Sequence, residues 1–338
     1  MIPTDFEDVA QQVATGRLAR QSIQGLLQEA HDRYRENREG LQAHYIPALG
    51  HADPEHFALS MAHVGGSVFE VGDCGHEFSL QSISKMFVFA LAVQHLGRDE
   101  VRERIGVNNT GLPFNSVMAI ELNEGRPMNA MVNAGAIATT ELVPGEGPED
   151  KWVAIHRGLS DFAGRELQLD AEVYASESAA NERNKALGRL LKSYGRILGD
   201  PEAAVDVYTR QCSLRITTRD LAVMGATLAD GGVNPVTGVR VLDADTCRDT
   251  LAAVAASGLY ERSGDWMFEI GIPAKSGVSG GIVAVAPGKG ALGAFSPRLD
   301  SAGNSVRGQL AVGHLSRTLG LNLFASAPER WSMPAARD

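Results

Sequence analysis

From about Phe6 to Leu41, Val9, Val13, Leu18, Ile23, Leu26, Leu27 and Ala30 recur at near-helical spacing among Arg, Gln and Glu, which predicts one or two amphipathic surface helices. Pro47 biases Ile46 toward extended geometry, so Tyr45-Ile46-Pro47-Ala48-Leu49 reads as a loop crossing the fold. Phe57 to Ala62 and Ser67 to Val71, separated by Val64-Gly65-Gly66, carry a hairpin signature, and Gly72 to Gly75 turn the chain. Next, Gln81-Ser82-Ile83-Ser84-Lys85 opens an apolar run from Met86 to Val93 that is long enough for a buried helix, with Gly97 as its terminator. Between Gly97 and Pro148 the sequence is rich in Gly, Pro and Asn, with Leu112 to Ser116 and Arg126 to Asn129 as loops before Met131 to Ile137, and Pro144 to Pro148 is a surface loop. Helical spacing follows over Trp152 to Phe162, Ala180 to Leu198, Ala203 to Cys212, Thr218 to Ala229 (stopped by Gly231-Gly232) and Asp245 to Ala256. Short extended runs return at Trp266 to Ile270, Gly281 to Ala286 and Gly290 to Phe295, ahead of a last helix around Ser305 to Leu319. Strands near both ends with helices between them imply an α+β fold whose sheet, built from distant parts of the chain, carries an inserted helical region.

Composition narrows the class. A chain of 338 residues, 44% hydrophobic and 21% charged, can bury a substantial core. It has no apolar run of bilayer length and an acidic, polar N-terminus unlike a signal peptide, so a soluble cytoplasmic protein is expected. A formal net charge of −10 without a cationic cluster disfavours nucleic acid as a partner. Cys74, Cys212 and Cys247 are too few and too scattered for a disulfide framework or a C-x-x-C metal site. His51, His56, His63 and His76 are irregularly spaced and make no H-E-x-x-H, so neither a metal nor another cofactor is expected.

The chemistry-bearing stretch is the one that opens the apolar helix. Residues three apart share a helix face, so Ser82 and Lys85 point the same way. A serine hydroxyl needs a base, and a lysine buried against an apolar helix can become neutral enough to serve. Such an S-x-x-K pair is used by β-lactamases and penicillin-binding proteins, although roughly one arises by chance in a chain of this length. Lys275-Ser276-Gly277 supplies the third element of that pattern, a Lys-Ser/Thr-Gly edge strand facing the nucleophile. Its backbone N–H and that of the nucleophile would form an oxyanion hole, each donor worth roughly 3 kcal/mol in the transition state. Gly288-Lys289-Gly290-Ala291-Leu292-Gly293 matches a dinucleotide fingerprint, but Phe295-Ser296-Pro297 forbids the helix such a site requires, so it is read as a hairpin turn.

Six motifs together resemble the serine-dependent glutaminase family: Tyr45 to Leu49, Phe78 to Lys85, Pro113 to Ser116, Val132 to Ala136, Pro273 to Gly281, and Ser296 to Asp300 with Gly303 to Ser305. The likeness runs from about residue 20 to 325. It implies a β-lactamase/transpeptidase-like fold, with a sheet part over about 40–80 and 260–325, a helical part over about 98–258 and an N-terminal extension at 1–19. It also implies hydrolysis of L-glutamine to L-glutamate and ammonia by a homodimer or homotetramer. By the same resemblance Ser82 is the nucleophile and Lys85 the base, while Tyr45 and Gln81 lie near the reacting amide. Asn133, Glu177, Asn184, Tyr208, Tyr260 and Val278 bind substrate, Val278 through its backbone. An amino-acid end needs an anion for its ammonium and amide or hydroxyl donors for its carboxylate. Glu177 fits the first role; Asn133, Asn184 and Tyr208 fit the second. Read locally, Ser176 to Asn184 is an exposed helix start, and Tyr208 and Tyr260 are packing residues. Either phenol could relay a proton to leaving ammonia, with Tyr260 favoured. Two alternatives stay open: a β-lactamase or penicillin-binding-like serine hydrolase, and a non-catalytic amino-acid-binding module.

Overall fold

The computed structural model describes residues 20–326. The expected helix before residue 20, the N-terminal extension and the tail beyond Ser326 lie outside the described residues. Strands β1 (Ala58–His63) and β2 (Val68–Gly72) form the anticipated hairpin. Two-residue β3 (Phe78–Ser79) and β4 (Gln168–Leu169) flank β5 (Leu214–Ile216) in a small separate sheet. Strands β6 (Ala274–Ser276), β7 (Gly281–Ala286) and β8 (Gly290–Phe295) complete a five-stranded antiparallel sheet in the order β2-β1-β8-β7-β6. The chain's early and late segments thus share one sheet, with β2 and β6 at its two edges. The glycine run at residues 288–293 forms the β7–β8 turn and the start of β8, with Lys289 N–H donating to the Ala286 carbonyl at 3.0 Å.

Side chains alternate across a strand, so β7 serves two cores. Ile282, Ala284 and Ala286 face the helices Arg20–Tyr34 and Val306–Thr318, whereas Val283 and Val285 face the helix Thr218–Ala229. Covered on both faces, β7 and β8 are apolar throughout rather than alternating. The Thr218–Ala229 helix starts with a capping box between Thr217 and Asp220 and lies unusually close to the sheet. A Cβ on Gly225 would stand 2.6 Å from Ala291 Cβ and 2.7 Å from Val283 Cγ2. Gly225→Ala gains roughly 1 kcal/mol in helix propensity, but overpacking costs about 1–3 kcal/mol. Net destabilisation in a urea melt is therefore expected, with partial recovery on adding Ala291→Gly; a more stable single variant would contradict this close approach.

The second core forms around the helix Ser84–Leu96, which is buried on nearly every side, as its uninterrupted apolar run requires. It ends at Gly97, whose N–H donates to the Val93 carbonyl at 2.8 Å. The helices Asn133–Thr140, Pro148–Ala163 and Ala244–Ser257 pack against it, and Glu182–Ser193 and Pro201–Cys212 pack on Asn133–Thr140. The architecture is a mixture of helix and antiparallel sheet, as expected at that level.

Four local expectations need correction. Ser82 sits not in the α-helix but in a 3-10 turn, Gln81–Ile83, leading into it. Ile46 is extended as its proline demands, yet Pro47–Gly50 then closes one helical turn. Ala180 to Leu198 shortens to a helix over Glu182–Ser193, preceded by an unanticipated helix, Ala171–Ala179, whose first amides are taken by the Asp170 side chain. Trp266 to Ile270 was expected to be extended because Trp, Phe and Ile favour strands, but Ser263–Glu269 is a helix. There Trp266 is buried and donates its indole N–H to the Ile272 carbonyl at 2.7 Å, while Phe268 is 90% exposed.

Candidate active site

The turn that presents Ser82 is strained and held from several sides. Gln81 has φ +50°, rare for a residue with a side chain, and Tyr260 has φ +57°. The Ser84 hydroxyl donates to the Gln81 carbonyl at 2.8 Å, and the Gln81 amide donates to Glu177 Oε2 at 3.1 Å and Ser79 Oγ at 3.3 Å. Strain of this kind persists where the surroundings over-determine the backbone, and it concentrates at functional sites. The Lys275 strand closes on the same turn. A Cβ on Gly277 would meet the Leu80 carbonyl oxygen at 3.1 Å, Gln81 Cβ at 3.2 Å and Ile83 Cγ1 at 3.3 Å, so glycine allows β6 to abut the serine turn.

Lys85 is fully buried. It donates to Asn133 Oδ1 at 2.6 Å and to the Met131 carbonyl at 3.3 Å. Burial brings its pKa down to about 8, although Cys212 and Glu177 pull the other way. Beyond Lys85 a row of amides continues: Asn133 Nδ2 donates to Asn184 Oδ1 (2.9 Å), Asn184 Nδ2 to Asn181 Oδ1 (2.6 Å), and Asn181 Nδ2 to Thr209 Oγ1 (2.7 Å). The Tyr208 hydroxyl also reaches Asn133 Oδ1, at 3.5 Å. Glu177 is only 8% exposed, near the end of its helix rather than at an exposed start. Burial raises its pKa to about 7, against the Gln81 hydrogen bond and the Lys85 charge. Tyr260 is also buried and donates to the Ser276 carbonyl at 3.3 Å; burial pushes its phenol up to about 12, against the nearby Ser82 hydroxyl. Lys275 Nζ lies 4.2 Å from the Tyr260 ring centroid and is held well below its ordinary pKa, chiefly by burial and then by the Lys85 charge.

A cavity of about 250 Å³ gathers Tyr45, Gln81, Ser82, Asn133, Glu177, Asn184, Tyr208 and Val278. Tyr45 stands at its rim, 60% exposed. Lys85 joins this group through its bond to Asn133, and Tyr260 through the nearness of its phenol to the Ser82 hydroxyl. Sequence reasoning missed Asn181, which orients Asn184, and Arg183, which lines the cavity and donates to the Asn115 carbonyl at 2.9 and 3.1 Å. Both lie in Ser176 to Asn184, where a polar stretch gives no sign of which side chains turn inward. Among the described residues, no group of three or more His, Cys, Asp or Glu is arranged to hold a metal ion, and no helix is long and apolar enough to cross a membrane. The three cysteines are free thiols.

A family model described as Glutaminase matches residues 40–324, the span that holds all these side chains. The chain belongs to the glutaminase family. Glutaminase 2 of Yersinia pestis is 50% identical over 330 residues, 97% of each chain. A glutaminase of Mycobacterium ulcerans (strain Agy99) is 50% identical over 302 residues, 89% of this chain and 94% of that one. Among solved structures, a probable glutaminase superposes with a TM-score of 0.90 at 45% identity, covering 91% of this chain and all of the other. Mglu in its glutamate form superposes with a TM-score of 0.87 at 38% identity, covering 91% and 71%. The family expected from the motifs, and with it a glutaminase enzyme, is borne out.

Proposed function

We propose that the chain hydrolyses L-glutamine to L-glutamate and ammonia through a glutamyl ester on Ser82, with Lys85 as general base. The observation that carries this reading is the single cavity in which a strained serine turn, a buried carboxylate and a row of amides converge. Glu177 holds the substrate's ammonium, and Asn133, Asn184 and Tyr208 hold its carboxylate. This orients the side-chain amide toward Ser82. Lys85, with a pKa of about 8, is roughly one-tenth neutral at pH 7 and so accepts the serine proton without leaving its buried site. The Ser82 and Val278 N–H groups stabilise the oxyanion. The Ser82 amide lies in the 3-10 turn Gln81–Ile83, whose first amides have no partner within the turn, which suits it to this task. Tyr260, beside the Ser82 hydroxyl, relays the proton to departing ammonia, and Tyr45 closes the rim. Water then releases glutamate from the ester.

The same reading extends to the fold, a β-lactamase-like arrangement in which Ser82-x-x-Lys85 faces the Lys275 edge strand. The tight fit of Gly277 against the serine turn supports it. It also includes a cytoplasmic homodimer or homotetramer, checked by light scattering on the purified chain.

Ammonia release from glutamine, asparagine and a penicillin tests the assignment: turnover confined to glutamine supports it, and acylation by the penicillin alone overturns it. Glu177→Gln is expected to raise KM for glutamine about 10- to 100-fold with kcat little changed, because a charge-assisted hydrogen bond is worth roughly 1.5–3 kcal/mol. In the wild type the carboxylate must be ionised to hold an ammonium. With a pKa of about 7, kcat/KM should climb as pH rises through 7, and this limb should vanish in Glu177→Gln.

A further inference from the structure

The Gln81 carbonyl and the Ser82 N–H belong to one peptide unit, which is planar and trans, so they point in opposite directions. Whatever fixes that carbonyl therefore aims the N–H assigned above to the oxyanion. Two groups hold it, both from Ser84: the backbone amide donates to it, and so does the hydroxyl, at 2.8 Å. The grip is needed because Gln81 sits at φ +50°. A residue with a side chain leaves that region unless its surroundings hold it, and the Gln81–Ser82 plane would turn as it left.

Ser84 has one hydroxyl hydrogen to give. It is fully buried, and its oxygen accepts a second hydrogen bond, from Gln211 Nε2 at 3.1 Å. With an amide NH2 on the accepting side of the hydroxyl, the single hydrogen is left pointing at Gln81. Gln211 is itself fully buried, and its Oε1 has no hydrogen-bond partner among the described residues. A buried amide oxygen without a partner is rare. Turning the amide over would bring that oxygen to Ser84, where it would compete with Gln81 for the hydroxyl hydrogen. Gln211 lies one turn beyond Tyr208 on the helix Pro201–Cys212, so the element that carries the phenol into the cavity also reaches the serine turn.

We propose that Ser84 and Gln211 are positioning residues for the oxyanion site: Gln211 directs the Ser84 hydroxyl, the hydroxyl holds the Gln81–Ser82 peptide plane, and the plane aims the Ser82 N–H at the developing charge. This rests on the serine acyl-enzyme reading above. Neither side chain lines the cavity, so binding of the substrate's charged end does not depend on them. The Ser84 backbone amide keeps the turn built when the hydroxyl is removed.

The test compares the purified full chain with Ser84→Ala, Gln211→Met and the double variant, by steady-state ammonia release and by quenched-flow mass spectrometry of the glutamyl ester. Losing an oxyanion donor outright costs about 10²- to 10³-fold. A donor loosened rather than removed costs less, so Ser84→Ala should form the ester about 10- to 50-fold more slowly, with KM within about threefold. Gln211→Met, of similar length but with no hydrogen to give, should slow it about 3- to 10-fold. Because Gln211 acts through Ser84, the double variant should match Ser84→Ala within about twofold. Rates are referred to glutamine-binding sites counted by calorimetry, so molecules that fail to fold do not enter. Residues that served stability alone would lower the number of sites and leave the rate per site unchanged. That result overturns the proposal, as does a double variant in which the two losses multiply. Absence of the ester in the wild type instead overturns the acyl-enzyme reading, and this proposal with it.

Discussion

Ser82→Ala is expected to lower kcat for glutamine by roughly 10⁴- to 10⁶-fold, the range found when the nucleophile of a cooperating catalytic unit is removed. The fold should survive, because the change deletes one oxygen from a turn held by other contacts: Ser84 on the Gln81 carbonyl, Gln81 on Glu177, and Gly277 against the Gln81 Cβ. Binding of glutamine, followed by calorimetry, should persist, since the groups assigned to its charged end are untouched. Quenched wild-type enzyme should gain the mass of one glutamyl group, and the variant should not. Undiminished ammonia release by Ser82→Ala would eliminate the covalent route.

Lys85→Met is expected to cost kcat a comparable factor, and the double variant little more than either alone, since members of one proton-transfer unit are not additive. Methionine suits a fully buried position better than alanine, for it leaves no cavity. It strands the Met131 carbonyl oxygen, at roughly 1–3 kcal/mol, and leaves Asn133 Oδ1 only the longer Tyr208 bond, but removes the larger burden of a desolvated ammonium. The pH profile separates a base from a structural lysine. The folded pKa is about 8 and the neutral amine is the active form, so wild-type kcat should rise as pH passes through 8. The residual rate of Lys85→Met should lack that limb; a variant that keeps it would assign the titration to another group.

The sheet strands and the Ser84–Leu96 helix could be read from sequence because burial on both faces demands long apolar runs, and Gly97 and Gly288–Gly290 punctuate them. Ala171–Ala179 was not legible. Its buried positions are few, Val173 and Glu177 among them, and its start depends on Asp170 folding back onto its own backbone. At Trp266–Phe268 local strand propensity points one way, whereas the burial of Trp266 and its bond to Ile272 decide for a helix. The site was legible only as a set of motifs. Nothing local in Glu177, Asn184 or Tyr208 marks them as neighbours of Ser82, because they converge through the packing of helices far apart in sequence. The positive φ of Gln81 is likewise a product of that packing and has no glycine to announce it.

The amides running from Asn133 to Thr209 form a one-way street. Each oxygen along it already receives a hydrogen, and each side-chain nitrogen has spent one of its two, leaving the other to give. A lining that can mainly offer hydrogens welcomes a carboxylate and turns away its amidated or esterified counterpart. Discrimination between a free amino acid and the same residue blocked at its C-terminus would then follow from the direction in which three asparagines are threaded.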